Sequence, residues 1–464
     1  PAIYFALMNI NGEIVFKTLY PLIFSLIPVA LYRIYEKQIG KTKALLSALF
    51  FISSPLVFGL NGAVSLNRQT VAELFLALSI FILLNEKIPV GKRRLLLIVF
   101  GAALVVSHYS TMYLYLAFVI SVYAVSKIKG KPDKLLDGAM VVSLLMMTVL
   151  FYYFTVSPLT SLAQALYTIF ARFSSDLSST AASSSALLAP TSILTFASVI
   201  NWVLFYTVHF FIVLGILGLL LLSGRMKLDQ RYRIISIVSA AILLLALVIP
   251  NLAPTLQFGR FYSLSLLFLA PCFVLGGNIL VDTLTAFLKR LTRQRFPKNT
   301  RIPIVPVLLC ILLIGYFLSQ SGFINFVTGA PPLGYALDFN RTITSNDQIL
   351  KSVFYSTYIP EQDVFSAVWL SKDEGGQSLV YADSDSIVTV LRSYGMIPLQ
   401  LEIPLTDSTS PPQFSFVYLS LLNIESGVIA SSTGGVFNTS EISSILNESN
   451  LIYSNGEGEI WYTP

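Results

Sequence analysis

RQTVAELFLALSIFILL (68–84), NEKIPVGKRR (85–94), LLLIVFGAALVVS (95–107) and HYST (108–111) follow one another without interruption, and their order decides how this chain folds. Two apolar runs flank a connector that carries Lys87, Lys92, Arg93 and Arg94, and the next connector carries no Lys or Arg. Apolar runs of this kind bury their backbone polar groups by forming membrane helices. Cations gathered in every second connector place those connectors on the cytoplasmic side.

The same alternation extends in both directions. Apolar spans are expected near 16–34, 43–60, 68–85, 93–107, 111–127, 134–156, 199–222, 233–250, 260–288 and 302–320. Residues 1–320 hold 26 of the 30 Lys and Arg, and 22 of those lie in five connectors, Arg33 to Lys43, Lys87 to Arg94, Lys127 to Lys134, Arg225 to Arg233 and Lys289 to Arg301. The remaining four, Lys17, Arg68, Arg172 and Arg260, face the exterior and need a reason to be there. An apolar share of 55% with a mean hydropathy of +0.74 excludes an ordinary soluble domain. The expected class is an α-helical polytopic membrane protein with about ten transmembrane helices over residues 1–320, followed by an extracytoplasmic α/β domain over 321–464. It sits in the cell membrane as a multi-pass protein. The chain opens on Pro1 with an external N-terminus and no signal peptide, from which an upstream span is expected.

Beyond residue 320, four Lys and Arg stand against fifteen Asp and Glu, so the net charge of +6 averages two opposed regions and implies no nucleic-acid partner. In this acidic part, Glu361 to Lys372 reads as an amphipathic helix with Phe365, Val368 and Trp369 on one face. Ser378 to Asp383 and Phe414 to Leu419 read as strands, and Ile452 to Tyr462 as a hairpin whose Asn455-Gly456 pair favours a primed turn. Sequons at Asn340, Asn438 and Asn447 agree with an external position. Cys272 and Cys310 lie inside apolar spans and encode neither a disulfide framework nor a metal site.

Chemistry is sought among polar residues at the external ends of spans. Gln69 and Glu73 stand four apart on one helix face, with Arg68 on an adjacent one. An acid this deep in a membrane helix is costly unless paired or wetted, so Glu73 reads either as half of an interhelical pair or as a functional group. His108 and Tyr109 suit a phosphate or a sugar hydroxyl in a shallow cleft, and His108 can move a proton near neutral pH; the alternative is a turn that satisfies its own backbone. Arg260, at a helix start, reads as an anion site for phosphate or as a snorkelling anchor. Lys17 joins Arg68 and Arg260 around one anionic ligand, and Arg172 sits in a Ser-rich external connector. His209, mid-span, reads as a hydrogen-bonded packing residue or a relay. External acids of the membrane part are Glu13, Glu73 and Asp176, with no paired-acid loop, and Asp383 with Asp385 reads as a turn after a strand.

The succession FKTLYPLIFSLIPVALYRIYEK, KALLSALFFISSPLVF, RQTVAELFLALSIFILL and LLLIVFGAALVVSHYSTMYL resembles the membrane core of the GT-C superfamily, polytopic glycosyltransferases that take a sugar from a polyprenyl or dolichyl phosphate carrier. RQ-x-x-AELF with SHYST and a terminal IYSNGEGEIWY resembles an archaeal group of predicted membrane proteins of unknown function. The resemblance implies a catalytic acid in a first external loop upstream of Pro1, so the catalytic residue stays unassigned. It implies a carrier-phosphate role for Arg260, with Arg68, His108, Tyr109, Glu73 and Lys17 lining the same groove. No organic cofactor is implied, and a divalent metal would draw its ligands mainly from the upstream segment. The expected partners are a polyprenyl- or dolichyl-phosphate-linked sugar, membrane lipids and a glycan or protein acceptor. The competing readings are a transporter or flippase of lipid-linked sugars, and a membrane-anchored surface protein without enzymatic activity.

Overall fold

A computed structural model describes residues 15–54, 68–155, 195–222, 226–249, 258–292, 304–332, 335–373, 378–406, 408–431 and 435–464. The chain forms two compact units, Pro1–Ala330 and Pro331–Pro464. Among the described residues of the first, the apolar stretches form α1 (Tyr20–Ile39, entered through a π-helical turn at Val15–Leu19), α2 (Lys41–Ser53), α3 (Arg68–Leu84), α4 (Val90–Ser107) and α5 (Tyr109–Ile128). They continue as α6 (Gly138–Phe154), α7 (Phe196–Leu221), α8 (Gln230–Val248), α9 (Phe258–Thr292), α10 (Ile304–Gln320) and the short α11 (Phe323–Thr328).

The expectation of about ten crossings is corrected in part. Among the described residues, five helices, Lys17–Ile39, Tyr109–Ile128, Phe196–Leu221, Gln230–Val248 and Gly259–Phe287, are long and apolar enough to span a bilayer. The others fall short for a physical reason: α2 has 13 residues, and α3, α6 and α10 have 17 each. At 1.5 Å per residue such helices reach only about 20–26 Å, against a hydrocarbon core of about 30 Å. The 18 residues of α4 include Lys92, Arg93 and Arg94 near its start, which shortens its apolar part.

Helix α9 organises the core. Pro271 lies inside it and has no backbone N–H, so the Leu267 carbonyl one turn earlier loses its intrahelical donor. A neighbouring helix supplies a replacement: the Tyr35 hydroxyl of α1 donates to the Leu267 carbonyl at 2.6 Å. At the next carbonyl, Phe268, the Tyr232 and Ser236 hydroxyls of α8 donate at 2.9 and 3.2 Å. Helices α7 and α9 meet backbone to backbone at glycines, where a Cβ on Gly215 would lie 2.0 Å from the Cys272 carbonyl oxygen and one on Gly276 would lie 1.9 Å from that of Phe211. Around this crossing Phe50 stacks on Phe273 with centroids 4.7 Å apart, and Phe118 meets Phe268 edge to face.

Four of the basic connectors are joined to one another at one end of the bundle. Arg231 holds Asp133 with two parallel bonds, Nε to Oδ2 at 2.6 Å and Nη2 to Oδ1 at 3.0 Å, and reaches the Leu83 carbonyl at the end of α3 at 3.2 Å. Arg93, only 4% exposed, donates to the carbonyls of Ile82 and Leu83. Both guanidiniums therefore serve carbonyls that α3 leaves without intrahelical partners. Arg94 pairs with Asp137 at 2.5 Å, Lys37 bonds the Asn85 side chain, and the Asp229 amide donates to Gln38.

The second unit is α/β. After α12 (Tyr335–Ile343), α13 (Gln348–Tyr355) and α14 (Glu361–Asp373) come β1 (Val380–Ala382), β2 (Glu402–Pro404) and β3 (Phe416–Leu419). Then follow α15 (Leu421–Glu425), the β4–β5 pair (Val428–Ala430, Val436–Asn438), α16 (Ser443–Asn447), β6 (Asn450–Ser454) and β7 (Glu459–Tyr462). The sheet order is β2-β1-β3-β7-β6, parallel across the first three strands and antiparallel across the rest. Val380, Val417 and Ile460 are buried.

One local expectation is revised. The inner face of α14 carries Asp363, Ser366, Ala367 and Leu370, while Phe365 is 60% exposed. Those four follow i, i+3, i+4, i+7, so the helical period holds but the buried face is rotated from the one that Phe365 suggested. In the β6–β7 loop only Gly456 takes a positive φ, of 92°. The Asn455 amide donates to the Gly458 carbonyl at 3.2 Å, and the Asn455 Oδ1 accepts from the amides of Glu457 and Gly458 at 3.2 and 2.8 Å, so the side chain also closes the turn.

Candidate functional site

The end of the bundle opposite the basic connectors begins with a sharp reversal. Helix α4 ends at Ser107, His108 takes an extended conformation (φ −160°, ψ 118°), and α5 begins at Tyr109. Ser110 and Thr111, in the first turn of α5, place both hydroxyls on His108 Nδ1, at 3.1 and 3.0 Å. The ring is stacked on Tyr109 at 5.2 Å, and Tyr109 meets Tyr113 edge on. Two hydroxyls thus orient the imidazole through Nδ1 and do not engage Nε2.

Arg68 and Arg260 stand in the first turns of α3 and α9. Burial, then the charge of Arg260, then that of Arg68 push the His108 ring down to about 4. The structure therefore brings His108, Arg260 and Arg68 within electrostatic reach of one another, with Tyr109 against the imidazole. With its pKa lowered the ring is uncharged at neutral pH, a neutral donor or acceptor near two guanidiniums.

Glu73 is 7% exposed and accepts from Gln69 Nε2 at 2.9 Å, within its own helix. Among the described residues it forms no ion pair, so the expected interhelical partner is not seen. Lys17 is exposed in the turn before α1. Glu13, Arg172 and Asp176 lie outside the described residues. His209 is an interhelical fastener: Nδ1 faces the Phe205 carbonyl at 2.8 Å and so carries the proton, which leaves Nε2 to accept from the Tyr262 hydroxyl at 2.9 Å. Tyr262 is a residue that the sequence gave no reason to single out.

Among the described residues no three His, Cys, Asp or Glu side chains stand together as metal ligands. One imidazole flanked by two guanidiniums suits an anion and not a divalent cation. In the second unit, Asp383 caps the turn after β1, its Oδ1 accepting from the amides of Asp385 and Ser386 at 3.1 and 2.9 Å, which accounts for the Asp383, Asp385 pair.

No curated protein matches this chain. The profile of the family described as predicted membrane protein (DUF2206) matches residues 93–461. That match runs from α4 to β7, through both units, and takes in His108, Tyr109 and Arg260, while Lys17, Arg68 and Glu73 precede it. By this match over most of its length, the chain belongs to the DUF2206 family of predicted membrane proteins.

Proposed function

We propose that the protein is an integral membrane glycosyltransferase of GT-C type, which takes a sugar from a polyprenyl- or dolichyl-phosphate carrier at the external face of the cell membrane and transfers it to a glycan or protein acceptor. The observation that carries this reading is the convergence of Arg260, Arg68 and His108 from three separate elements, at the end of the bundle where cations are otherwise scarce. Two guanidiniums near a half-buried imidazole suit a phosphate leaving group, and Tyr109 beside the imidazole offers a face for a sugar ring.

In the reaction the acceptor oxygen bonds to the anomeric carbon as the bond to the carrier phosphate breaks. The phosphate leaves with the electron pair, and Arg260 and Arg68 stabilise its charge. His108 Nε2 hydrogen-bonds the sugar or the phosphate. No base for the acceptor's proton is assigned among the described residues. The second unit, read as extracytoplasmic, helps to hold the acceptor.

The test is binding of a long-chain polyprenyl phosphate to the full chain in nanodiscs, compared among wild type, Arg260→Lys and Arg260→Ala. Loss of a charge-assisted contact of about 1.5–3 kcal/mol weakens binding roughly tenfold to a hundredfold in Arg260→Ala. Lys restores part, because it offers a point charge in place of a fork. Equal affinity in all three returns Arg260 to an interfacial anchor and removes the support for a transferase.

A further inference from the structure

The basic end of the bundle holds a cavity of about 530 Å³ that the transferase reading does not use. Its charged lining comes from three connectors: Glu86 and Arg93, then Lys131, Asp133 and Lys134, then Asp229 and Arg231. Most of these charges are already engaged. Arg231 is held by Asp133, Arg93 by the carbonyls that end α3, and Asp229 accepts from the Arg231 amide as the cap of α8. Lys131 and Lys134 are different. Both are exposed at the mouth, and among the described residues neither ammonium group meets a carboxylate.

The four cations of the lining outnumber its three carboxylates, which leaves one positive charge unbalanced. Val90, Val122, Leu135 and Ile234 supply an apolar wall beside the charges. A guanidinium framework held by ion-pair and carbonyl contacts, two exposed ammonium groups and an apolar wall together suit an amphiphile with a singly charged phosphate head. The size agrees, since cavities of about 300–1,000 Å³ hold small ligands and headgroups. The cation distribution puts this end at the cytoplasmic leaflet, where anionic phospholipids are available and basic pockets between helices take their headgroups.

We infer that the cavity among Arg93, Lys131, Lys134 and Arg231 is a binding site for a phosphate ester, filled by an anionic phospholipid headgroup of the cytoplasmic leaflet or by a soluble phosphate compound. Ligand phosphate is held by Lys131 and Lys134 against the Arg231–Asp133 pair, and acyl or other apolar groups lie along Val122 and Ile234. The site is separate from the Arg260 cleft, and its failure leaves the transferase reading untouched.

The experiment uses the full chain in nanodiscs. One arm titrates phosphatidylglycerol into a phosphatidylcholine bilayer, and the other adds inorganic phosphate or pyrophosphate to phosphatidylcholine nanodiscs; bound ligand is counted by native mass spectrometry. Lys131→Gln/Lys134→Gln is compared with Lys127→Gln/Lys129→Gln, which removes the same charge from the same connector outside the lining. The expected result is a loss of about tenfold or more in affinity for one probe in the first pair and little change in the second. Response to phosphatidylglycerol alone identifies a lipid site, and response to the soluble anions alone identifies a soluble ligand. Equal losses in both pairs would show diffuse surface charge, and no loss in either would leave the cavity without a ligand; each result overturns the inference. Polyprenyl phosphate binding that still depends on Arg260 in the Lys131→Gln/Lys134→Gln variant distinguishes this outcome from failure of the transferase reading.

Discussion

Asp363 is an acid on the inner face of α14, 3% exposed, and its Oδ1 accepts from the Tyr418 hydroxyl at 3.0 Å and the Leu421 amide at 3.1 Å. Burial drives its carboxyl up to about 7, and the neighbouring Asp383 adds to the rise. The folded carboxyl keeps its proton up to about 7, whereas the unfolded chain releases it near 3.9. Between those values the native state binds more protons than the unfolded state, so stability falls as pH rises through the window and levels off above it. Asp383 and Asp385 are raised as well and act in the same direction. Denaturant unfolding of the 331–464 fragment should show lower stability at pH 8 than at pH 5, with a shallower slope in Asp363→Asn. An unchanged slope would show that Asp363 is not the group that titrates. Side-chain spacing and scarcity made some single residues legible in the sequence: Gln69 and Glu73 share a face by their spacing, and Arg260 drew notice as a rare cation. Asp363 was not legible, because an acid in an amphipathic pattern is assigned to the wet face, and only the Tyr418 hydroxyl and the amide of α15 make its burial tolerable. Tyr262 was equally silent, since its bond to His209 joins helices far apart in sequence.

Helix α1 is tied to α9 by what Pro271 leaves open. The hydroxyl of Tyr35 takes the place of the absent amide donor, so its value depends on the proline being there. Tyr35→Phe should destabilise the full chain in detergent by about 1 kcal/mol, with a smaller loss in a Pro271→Ala background, where the restored N–H serves Leu267. Equal losses in both backgrounds, measured by denaturant unfolding, would show that the hydroxyl and the proline act independently. Helix positions were legible because each apolar run ends at a charged connector or a polar turn. Crossing ability was less so, since it depends on a few residues at each end that hydropathy does not resolve. In the β6–β7 loop the side-chain part was not legible: Asn455 also acts through its side chain, and a dipeptide preference describes backbone angles alone.

The family match, over residues 93–461, takes in parts of both units. The cation distribution predicts that the connector carrying Lys131 is cytoplasmic and that Asn340 is external, an expectation open to direct measurement. Single cysteines at Lys131 and Asn340, in a chain with Cys272 and Cys310 replaced, should differ in intact cells: an impermeant thiol reagent labels the Asn340 site and spares the Lys131 site. The reverse pattern would overturn the assigned sidedness. The division into an apolar and an acidic part was legible from composition, while the joining of the basic connectors was not, because a charge count does not say which carbonyl a guanidinium will reach. That joining gives Arg93 two duties separated in time. While the chain is being inserted it counts only as one more positive charge, and lysine would serve as well. Once the bundle closes, its planar fork finishes the end of α3, and a rounded ammonium cannot meet both carbonyls in that way. Biogenesis and the mature fold thus make unequal demands on the same position, and an exchange that leaves insertion intact still loosens the finished bundle.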